Sequence, residues 1–190
     1  DCRQCEQGAF TPADGFDACQ GCAPGQYNPA SGFSECFVCE EGTYSAEAGA
    51  ARCDECEAGR YVGLKASTTC ILCSETLSGS PEHWTTMKPG EYDESIQAVR
   101  WVESTAATNV SSCGCRPGTQ PVGIDDIDYV NGGSPADPLL RGQGCDACGE
   151  GLLCYGMGQL RIAEEYAWDY STGVYDCTEA VTAACTGGVP

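Results

Sequence analysis

The cysteines are the residues of this chain whose type and spacing could do chemistry. There are 17 of them in 190 residues, and the first ten form CxxC pairs at a fixed interval of 17 residues. These pairs are Cys2/Cys5, Cys19/Cys22, Cys36/Cys39, Cys53/Cys56 and Cys70/Cys73. Closely spaced thiols of this kind form disulfides in an oxidising compartment or bind a metal such as zinc as thiolates. Disulfides would indicate a protein of an oxidising compartment, whereas thiolates would indicate a metal-binding protein.

Three features of the sequence favour disulfides over zinc. Zinc sites with four thiolates use CxxC pairs two at a time, so five equal pairs leave one pair over. The later cysteines do not continue a zinc-binding spacing, and the chain has a single histidine, His83. We therefore predict disulfides and neither a metal nor another cofactor. Structural zinc is the alternative.

The repeat narrows the disulfide pairing. If every repeat closes the same loop, the second cysteine of each pair joins the first cysteine of the next pair. The predicted bridges are then Cys5–Cys19, Cys22–Cys36, Cys39–Cys53 and Cys56–Cys70, and the same nearest-neighbour rule gives Cys73–Cys113, Cys115–Cys145, Cys148–Cys154 and Cys177–Cys185. Cys2 remains, and we expect its partner in a further repeat upstream, so that the chain is a segment of a longer secreted protein. The rival scheme joins first to first and second to second cysteines across adjacent repeats.

The residues that follow each pair repeat as well. The second cysteine begins the phrase C-x-x-G-x-aromatic, with Gly8 and Phe10, Gly25 and Tyr27, Gly42 and Tyr44, and Gly59 and Tyr61; further glycines lie mid-loop at Gly15, Gly32 and Gly49. Glycine tolerates the positive φ that a sharp turn requires. The aromatic ring can cover the neighbouring disulfide. A short self-copying period predicts a tandem array in which each unit packs on its neighbours.

Composition fixes the fold class and excludes several functions. The chain has four Phe and two Met against 25 Gly and 10 Pro, so little apolar surface is available for a continuous core. We predict a small disulfide-rich, irregular, all-β fold, an elongated tandem array of single-disulfide loops followed by a disulfide-rich β subdomain with long inserts. The net charge of −19 disfavours nucleic acid and favours cations and basic surfaces as partners. No apolar stretch in this segment is long enough to span a membrane.

The period breaks after Cys73, which divides the chain into residues 1–73, an insert subdomain at 74–112 and a module at 113–190 in which CxxG phrases resume at Cys115 and Cys148. Residues 95–104 are compatible with a strand or a short helix, and we predict a strand. Residues 121–144 are expected to form an exposed excursion. The apolar residues that could form the core of the insert are Trp84, Met87, Tyr92, Ile96, Val99, Trp101 and Val102.

A few other side chains could carry a function. Asn109-Val110-Ser111 is an N-glycosylation sequon, and we expect a glycan at Asn109. The acidic group Asp125, Asp126 and Asp128 lacks the glycine and terminal glutamate of an EF-hand and is interpreted as a solvated loop. His83 is interpreted as a surface or packing residue. No nucleophile, base and orienting acid can be assembled, so the chain is not expected to be an enzyme.

The repeated CxxCxxGxY phrase with its mid-loop glycine resembles the ephrin-receptor-like cysteine-rich repeat, which is similar to the single-disulfide modules of tumour-necrosis-factor receptors. This resemblance covers residues 1–73. The later phrases CGCRPGT at 113–119, GCDACGEGLLCYGMG at 144–158, and VYDC and AACTGG within 174–188 resemble a block of very large extracellular proteins of algae and other protists. The resemblance implies a secreted or surface-exposed, elongated glycoprotein, in some cases a component of flagellar hairs or other fibrils.

Two functions follow as hypotheses. The first is a non-catalytic structural module of an extracellular filament, flagellar hair or surface coat, which acts as a disulfide-stapled rod and assembles with copies of itself or with other extracellular matrix proteins. The second is a ligand-binding receptor or adhesion ectodomain whose ligand surface is built around Trp84 and Trp101.

Overall fold

The computed structural model describes residues 4–12, 18–77, 83–95, 98–121, 144–157, 159–163, 166–169 and 173–176. The chain forms two compact units. The first consists of Asp1–Leu72 together with Ser104–Ser112, and the second of Cys73–Glu103 together with Cys113–Pro190. The division into residues 1–73, 74–112 and 113–190 stays a prediction.

The first unit is a series of short antiparallel hairpins. In each of them, two residues of the aromatic phrase pair with the two residues inside the next CxxC. The strand pairs are β1 (Ala9–Phe10) with β2 (Gln20–Gly21), β3 (Gln26–Tyr27) with β4 (Phe37–Val38), β5 (Thr43–Tyr44) with β6 (Asp54–Glu55), and β7 (Arg60–Tyr61) with β8 (Ile71–Leu72). A 3-10 turn at Val110–Ser112 ends the part of the unit that follows the insert. Hairpins this short are not stable alone and need a covalent or tertiary support.

The second unit begins with the short helix α1 (Cys73–Thr76) and a three-stranded antiparallel sheet. The strands of this sheet are β9 (Trp84–Asp93), β10 (Ala98–Glu103) and β11 (Cys113–Cys115), in the order β10-β9-β11. Two-stranded antiparallel pairs follow: β12 (Thr119–Pro121) with β13 (Cys145–Ala147), β14 (Leu152–Gly156) with β15 (Gln159–Ile162), and β16 (Tyr166–Asp169) with β17 (Gly173–Asp176). The predicted fold class, a small and mostly β disulfide-rich fold with tandem short-loop repeats, is confirmed. The strand predicted at 95–104 is confirmed over Ala98–Glu103.

The core of the second unit lies at the start of β9. Trp84 and Met87 are each 2% exposed, and Thr85 and Thr86 between them are fully buried. The Thr85 hydroxyl donates a hydrogen bond to Glu103 Oε1 at 2.8 Å, which satisfies a polar group that would otherwise be costly to bury. The prediction that Trp84 and Met87 belong to the core is therefore confirmed.

Three other residues assigned to that core are exposed. Tyr92, Val99 and Val102 are 62%, 37% and 38% exposed, so their assignment to the core was wrong. The reason is geometric: β11 pairs with β9 only over Trp84–Thr86, while Tyr92 and Val102 lie on the part of β9 and β10 that form a hairpin of two strands. Trp101 is half-buried, and Ile96 lies outside the described residues.

Candidate functional site

Seven disulfides join cysteines in the part of the chain that the structure describes. They are Cys5–Cys19, Cys22–Cys36, Cys39–Cys53, Cys56–Cys70, Cys73–Cys113, Cys115–Cys145 and Cys148–Cys154. The first four each span 14 residues, and the remaining three span 40, 30 and 6. These are seven of the eight pairs that the nearest-neighbour rule gives. Cys2, Cys177 and Cys185 lie outside the described residues.

The disulfides divide the first unit into four repeats that begin at the second cysteine of each pair: repeat 1 at residues 5–21, repeat 2 at 22–38, repeat 3 at 39–55 and repeat 4 at 56–72. The opening cysteines Cys5, Cys22, Cys39 and Cys56 are at most 1% exposed. Their sulfurs therefore form much of the interior of the unit. The bridges replace the apolar core that the composition cannot supply.

The glycine of the CxxG phrase bonds each repeat to the next one through its backbone. In repeat 1, Gly8 donates its N–H to the Asn28 carbonyl at 2.8 Å and accepts the Cys22 N–H at 2.9 Å. Gly25 bonds in the same way to Ser45 and Cys39, and Gly42 to Val62 and Cys56, with the same distances. The φ of these glycines lies between 80° and 83°, as the sequence predicts. The phrase is thus a connector between repeats.

The same glycines touch the repeat after next. A Cβ atom on Gly8 would overlap the carbonyl oxygen of Gly49, and one on Gly25 would overlap that of Ala66. Gly42 stands in the same relation to Ala106. No side chain fits at these positions, so each repeat is held by two successors.

The mid-loop residue forms a further backbone hydrogen bond, which joins its repeat to the preceding one. Gly49 donates its N–H to the Cys22 carbonyl at 2.8 Å, and Ala66 donates to Cys39 at the same distance. Gly32 has a φ of 82°, as expected for the mid-loop glycine. Ala66 adopts a φ of 57° without being glycine, and for an alanine this conformation is strained. The bond to the preceding repeat therefore holds the loop in an unfavourable local conformation.

Residues 104–112 complete the array after the insert. Ala106 donates its N–H to the Cys56 carbonyl at 2.8 Å with a φ of 54°, and Ala107 accepts the Val62 N–H at 3.0 Å. These are the bonds that Ala66 makes to Cys39 and that Ala50 makes to Asn28 within the repeats. The fifth loop, closed by Cys73–Cys113, thus carries the β9–β10 hairpin as an insertion.

The strain at Ala106 leads to a prediction. We expect Ala106→Gly to stabilise the first unit by about 0.5–1 kcal/mol, because glycine adopts the positive φ without the cost that alanine carries. The matched control is Ala46→Gly, at an exposed position without a positive φ, where added freedom of the unfolded chain should destabilise by about 0.4–1 kcal/mol. Hydrogen exchange of the repeat amides measures both changes, and a loss of protection in Ala106→Gly would contradict the assignment.

In repeats 2, 3 and 4, the residue after the aromatic is a buried position that the sequence analysis missed. Asn28 is fully buried, and Ser45 and Val62 are each 4% exposed. The Asn28 amide donates to the Ala9 carbonyl at 2.8 Å, and its Oδ1 accepts the Ala30 N–H at 3.2 Å. The 17-residue spacing of these positions could have identified them as equivalent and buried, but Asn, Ser and Val differ in polarity and do not form an apolar pattern.

The aromatic residues of the phrase are all half-buried; they are Phe10, Tyr27, Tyr44 and Tyr61. Tyr44 packs against Val62 and the cysteines of the Cys56–Cys70 bridge. The prediction that the ring covers a neighbouring disulfide is confirmed for Tyr44.

The CxxG phrase also acts as a connector in the second unit. Gly118 and Gly151 have φ values of 85° and 75°. The Cys148 N–H donates to the Gly118 carbonyl at 3.0 Å, and the Ala163 N–H donates to the Gly151 carbonyl at 2.9 Å. These bonds correspond to the one that Cys22 makes to Gly8, so the glycine carbonyl has the same role at Gly118 and Gly151.

The ion pairs among the described residues are few and lie at the surface. Lys65 Nζ is 2.6 Å from Glu40 Oε2, which links repeats 4 and 3, and the hydrogen bond and charge of Glu40 raise the pKa of Lys65. At the end of the β9–β10 hairpin, Asp93 accepts hydrogen bonds from Ser95 and Arg100, and these bonds hold the pKa of Asp93 below its usual range. Exposed pairs of this kind contribute little to stability.

The other candidate residues are spread over the structure. Asn109 is exposed, its Oδ1 accepts the Ser111 N–H at 2.8 Å, and glycosylation there stays a prediction. The His83 ring donates from Nδ1 to the Cys145 carbonyl at 2.7 Å, consistent with a packing role. Asp125, Asp126 and Asp128 and residues 122–143 of the expected excursion lie outside the described residues. Among the residues that are described, no three His, Cys, Asp or Glu side chains form a group that could hold a metal ion.

The receptor hypothesis placed a ligand surface around Trp84 and Trp101. Trp84 is 2% exposed. Trp84 therefore cannot present a surface to a ligand. Within the described ranges, no helix is long and apolar enough to cross a membrane.

Comparison of the sequence with protein-family models finds no matching family. Comparison with curated proteins finds no match either. The geometry of the repeats is therefore the ground on which a function is proposed.

Proposed function

We propose that the chain is a non-catalytic structural module of an extracellular filament, flagellar hair or surface coat, in which it acts as a disulfide-stapled array. The observation that carries the proposal is the way the repeats are joined. Each repeat is closed by its own disulfide, and its glycine backbone bonds to the next repeat and touches the one after. Such an arrangement suits a structural module that has to resist deformation.

The contacts between repeats account for the mechanical role. Bending the array at one repeat would break backbone hydrogen bonds such as Gly25 to Ser45 and would move Ala66 off Gly25. Pulling on the chain would not extend the loops, because each bridge holds its ends between 5.5 and 5.8 Å apart at Cα. An array with these properties resists both unfolding and proteolysis.

The environment of the module follows from the same features. Seven disulfides are compatible with an oxidising, extracellular location. The partners we propose are copies of the chain or other proteins of an extracellular matrix or filament, with a glycan on the exposed Asn109. In this role the chain needs no catalytic group and is not an enzyme.

Self-assembly is the property that tests the proposal. The net charge of −19 repels copies from each other, so we expect filaments or ordered polymers by negative-stain electron microscopy only once salt or divalent cations screen that charge. The reduced and alkylated chain is the control; without closed loops it should not assemble. Monodisperse particles under every ionic condition would contradict the proposal.

A further inference from the structure

Repeat 2 carries a cluster of aromatic rings at its surface, formed by the exposed Phe33 and Phe37 and the half-buried Tyr27, which we call the ring patch. The centroids of Phe33 and Phe37 are 5.4 Å apart with planes inclined at 81°, and those of Tyr27 and Phe37 are 5.8 Å apart with planes inclined at 44°. Phe33 and Phe37 are 37% and 38% exposed, and the neighbouring Val38 is 40% exposed. Aromatic side chains clustered on a surface are typical of interaction sites.

The fold does not require the two phenylalanines. The positions of Phe33 and Phe37 are occupied in repeat 3 by Ala50 and Asp54, one period of 17 residues later. Repeat 3 forms the same hairpin, in which Tyr44 pairs with Asp54 as Tyr27 pairs with Phe37. The chain therefore shows within itself that the repeat folds without rings at these positions. Their presence in repeat 2 calls for another explanation.

The sequence segment that contains the ring patch is acidic. Between residues 4 and 51 the sequence contains no Lys, Arg or His and seven Asp or Glu. Glu35 lies between the two phenylalanines in sequence and is exposed, as is Glu41 just after Cys39. Glu40 of this segment forms an ion pair with Lys65 of repeat 4. Because of these carboxylates, a positively charged partner is favoured at this patch over a negatively charged one.

We propose that the ring patch, together with Glu35, binds Lys or Arg side chains of a basic segment of a partner protein. The faces of the rings carry negative π charge, and a cation within about 6 Å of a ring centroid is attracted to it. Three rings in mutually inclined planes offer several faces to one cationic segment, and Glu35 adds a carboxylate for a charge-assisted hydrogen bond. This interaction is additional to the structural role and does not depend on filament formation.

The test uses the full chain, with acetylated hexaarginine amide as the probe and isothermal titration in low-salt buffer as the measurement. The decisive variant is Phe33→Ala/Phe37→Asp, which gives repeat 2 the residues that repeat 3 already has. It removes two rings and adds a negative charge. If the rings bind the cation, affinity falls about tenfold despite that charge, since each exposed cation–π contact is worth about 0.5–1 kcal/mol.

Two controls complete the experiment. Ile71→Asp adds the same charge at the corresponding position of repeat 4, and its affinity should equal or slightly exceed that of the parent chain. Hexacitrulline amide, which has the shape of the probe without its charge, should not bind the parent. The proposal is overturned if Phe33→Ala/Phe37→Asp binds hexaarginine as tightly as the parent or more tightly, because attraction would then be purely Coulombic. It is equally overturned if hexacitrulline binds as well as hexaarginine.

Discussion

Gly25→Ala is expected to destabilise the first unit by about 3 kcal/mol or more, the combined cost of two effects. Alanine at a φ of 80° carries strain of about 1–2 kcal/mol. Its Cβ would also overlap the Ala66 carbonyl, so the loop of repeat 4 must move away. That movement weakens the hydrogen bond from Ala66 to the carbonyl of the buried Cys39, and a buried acceptor left unpaired costs about 1–3 kcal/mol.

The control for this prediction is Gly32→Ala in the same repeat. Gly32 has a φ of 82°, but a Cβ there would meet only the Gln4 side chain, at an ordinary distance of 3.4 Å. Only the conformational strain remains, so the expected loss is about 1–2 kcal/mol, and Ala66 already tolerates that strain at the equivalent position. Denaturant dependence of hydrogen exchange in residues 18–72 separates the two. Equal losses for the two variants would show that the contact between repeats 2 and 4 contributes nothing.

The period of the sequence made much of the array predictable. Because Cys5, Cys22, Cys39 and Cys56 recur with the same neighbours, one pairing rule has to serve every loop, and the rule gives the bridges that the structure contains. The positive φ of the CxxG glycines follows for the same reason. A repeat constrains itself, since any local conformation has to be compatible with all of its copies.

The contacts beyond the neighbouring repeat could not be predicted in this way. The overlap of Gly25 with Ala66 joins residues 41 positions apart, and nothing in the spacing says which loop lies on which glycine. Ala106 was harder still to recognise, because it lies seven positions before Cys113, whereas Gly49 lies four positions before Cys53. Its role became visible only from its hydrogen bond to Cys56.

The insert shows a different limit. The strand β10 is predicted correctly from the sequence, but the apolar character of Tyr92 and Val102 wrongly predicts core positions for them. Apolar character reports what a residue can bury, whereas burial itself depends on whether another layer packs there. In the described part of the second unit, the packed layer ends near Met87, and the hairpin continues past it.

The second large effect is expected from the bridge between Cys73 and Cys113. In the chain-entropy description, a disulfide stabilises by limiting the unfolded chain, and the gain rises with loop length. Cys73–Cys113 spans 40 residues and Cys148–Cys154 spans 6. We therefore expect Cys73→Ala/Cys113→Ala to destabilise the second unit by about 4 kcal/mol, and Cys148→Ala/Cys154→Ala to destabilise it by about 2.5 kcal/mol.

Burial acts in the same direction as loop length. Cys73 and Cys113 are fully buried, while Cys148 and Cys154 are half-buried, so the first pair of substitutions also removes more packed sulfur. Trp84, Trp101 and Trp168 all belong to the second unit, so tryptophan fluorescence during denaturant unfolding follows that unit in both variants. Equal losses, or a larger loss for Cys148→Ala/Cys154→Ala, would mean that neither loop closure nor burial sets the contribution of these bridges. The larger loss for Cys73→Ala/Cys113→Ala would instead identify the 40-residue loop, with its inserted hairpin, as the one whose closure the second unit needs most.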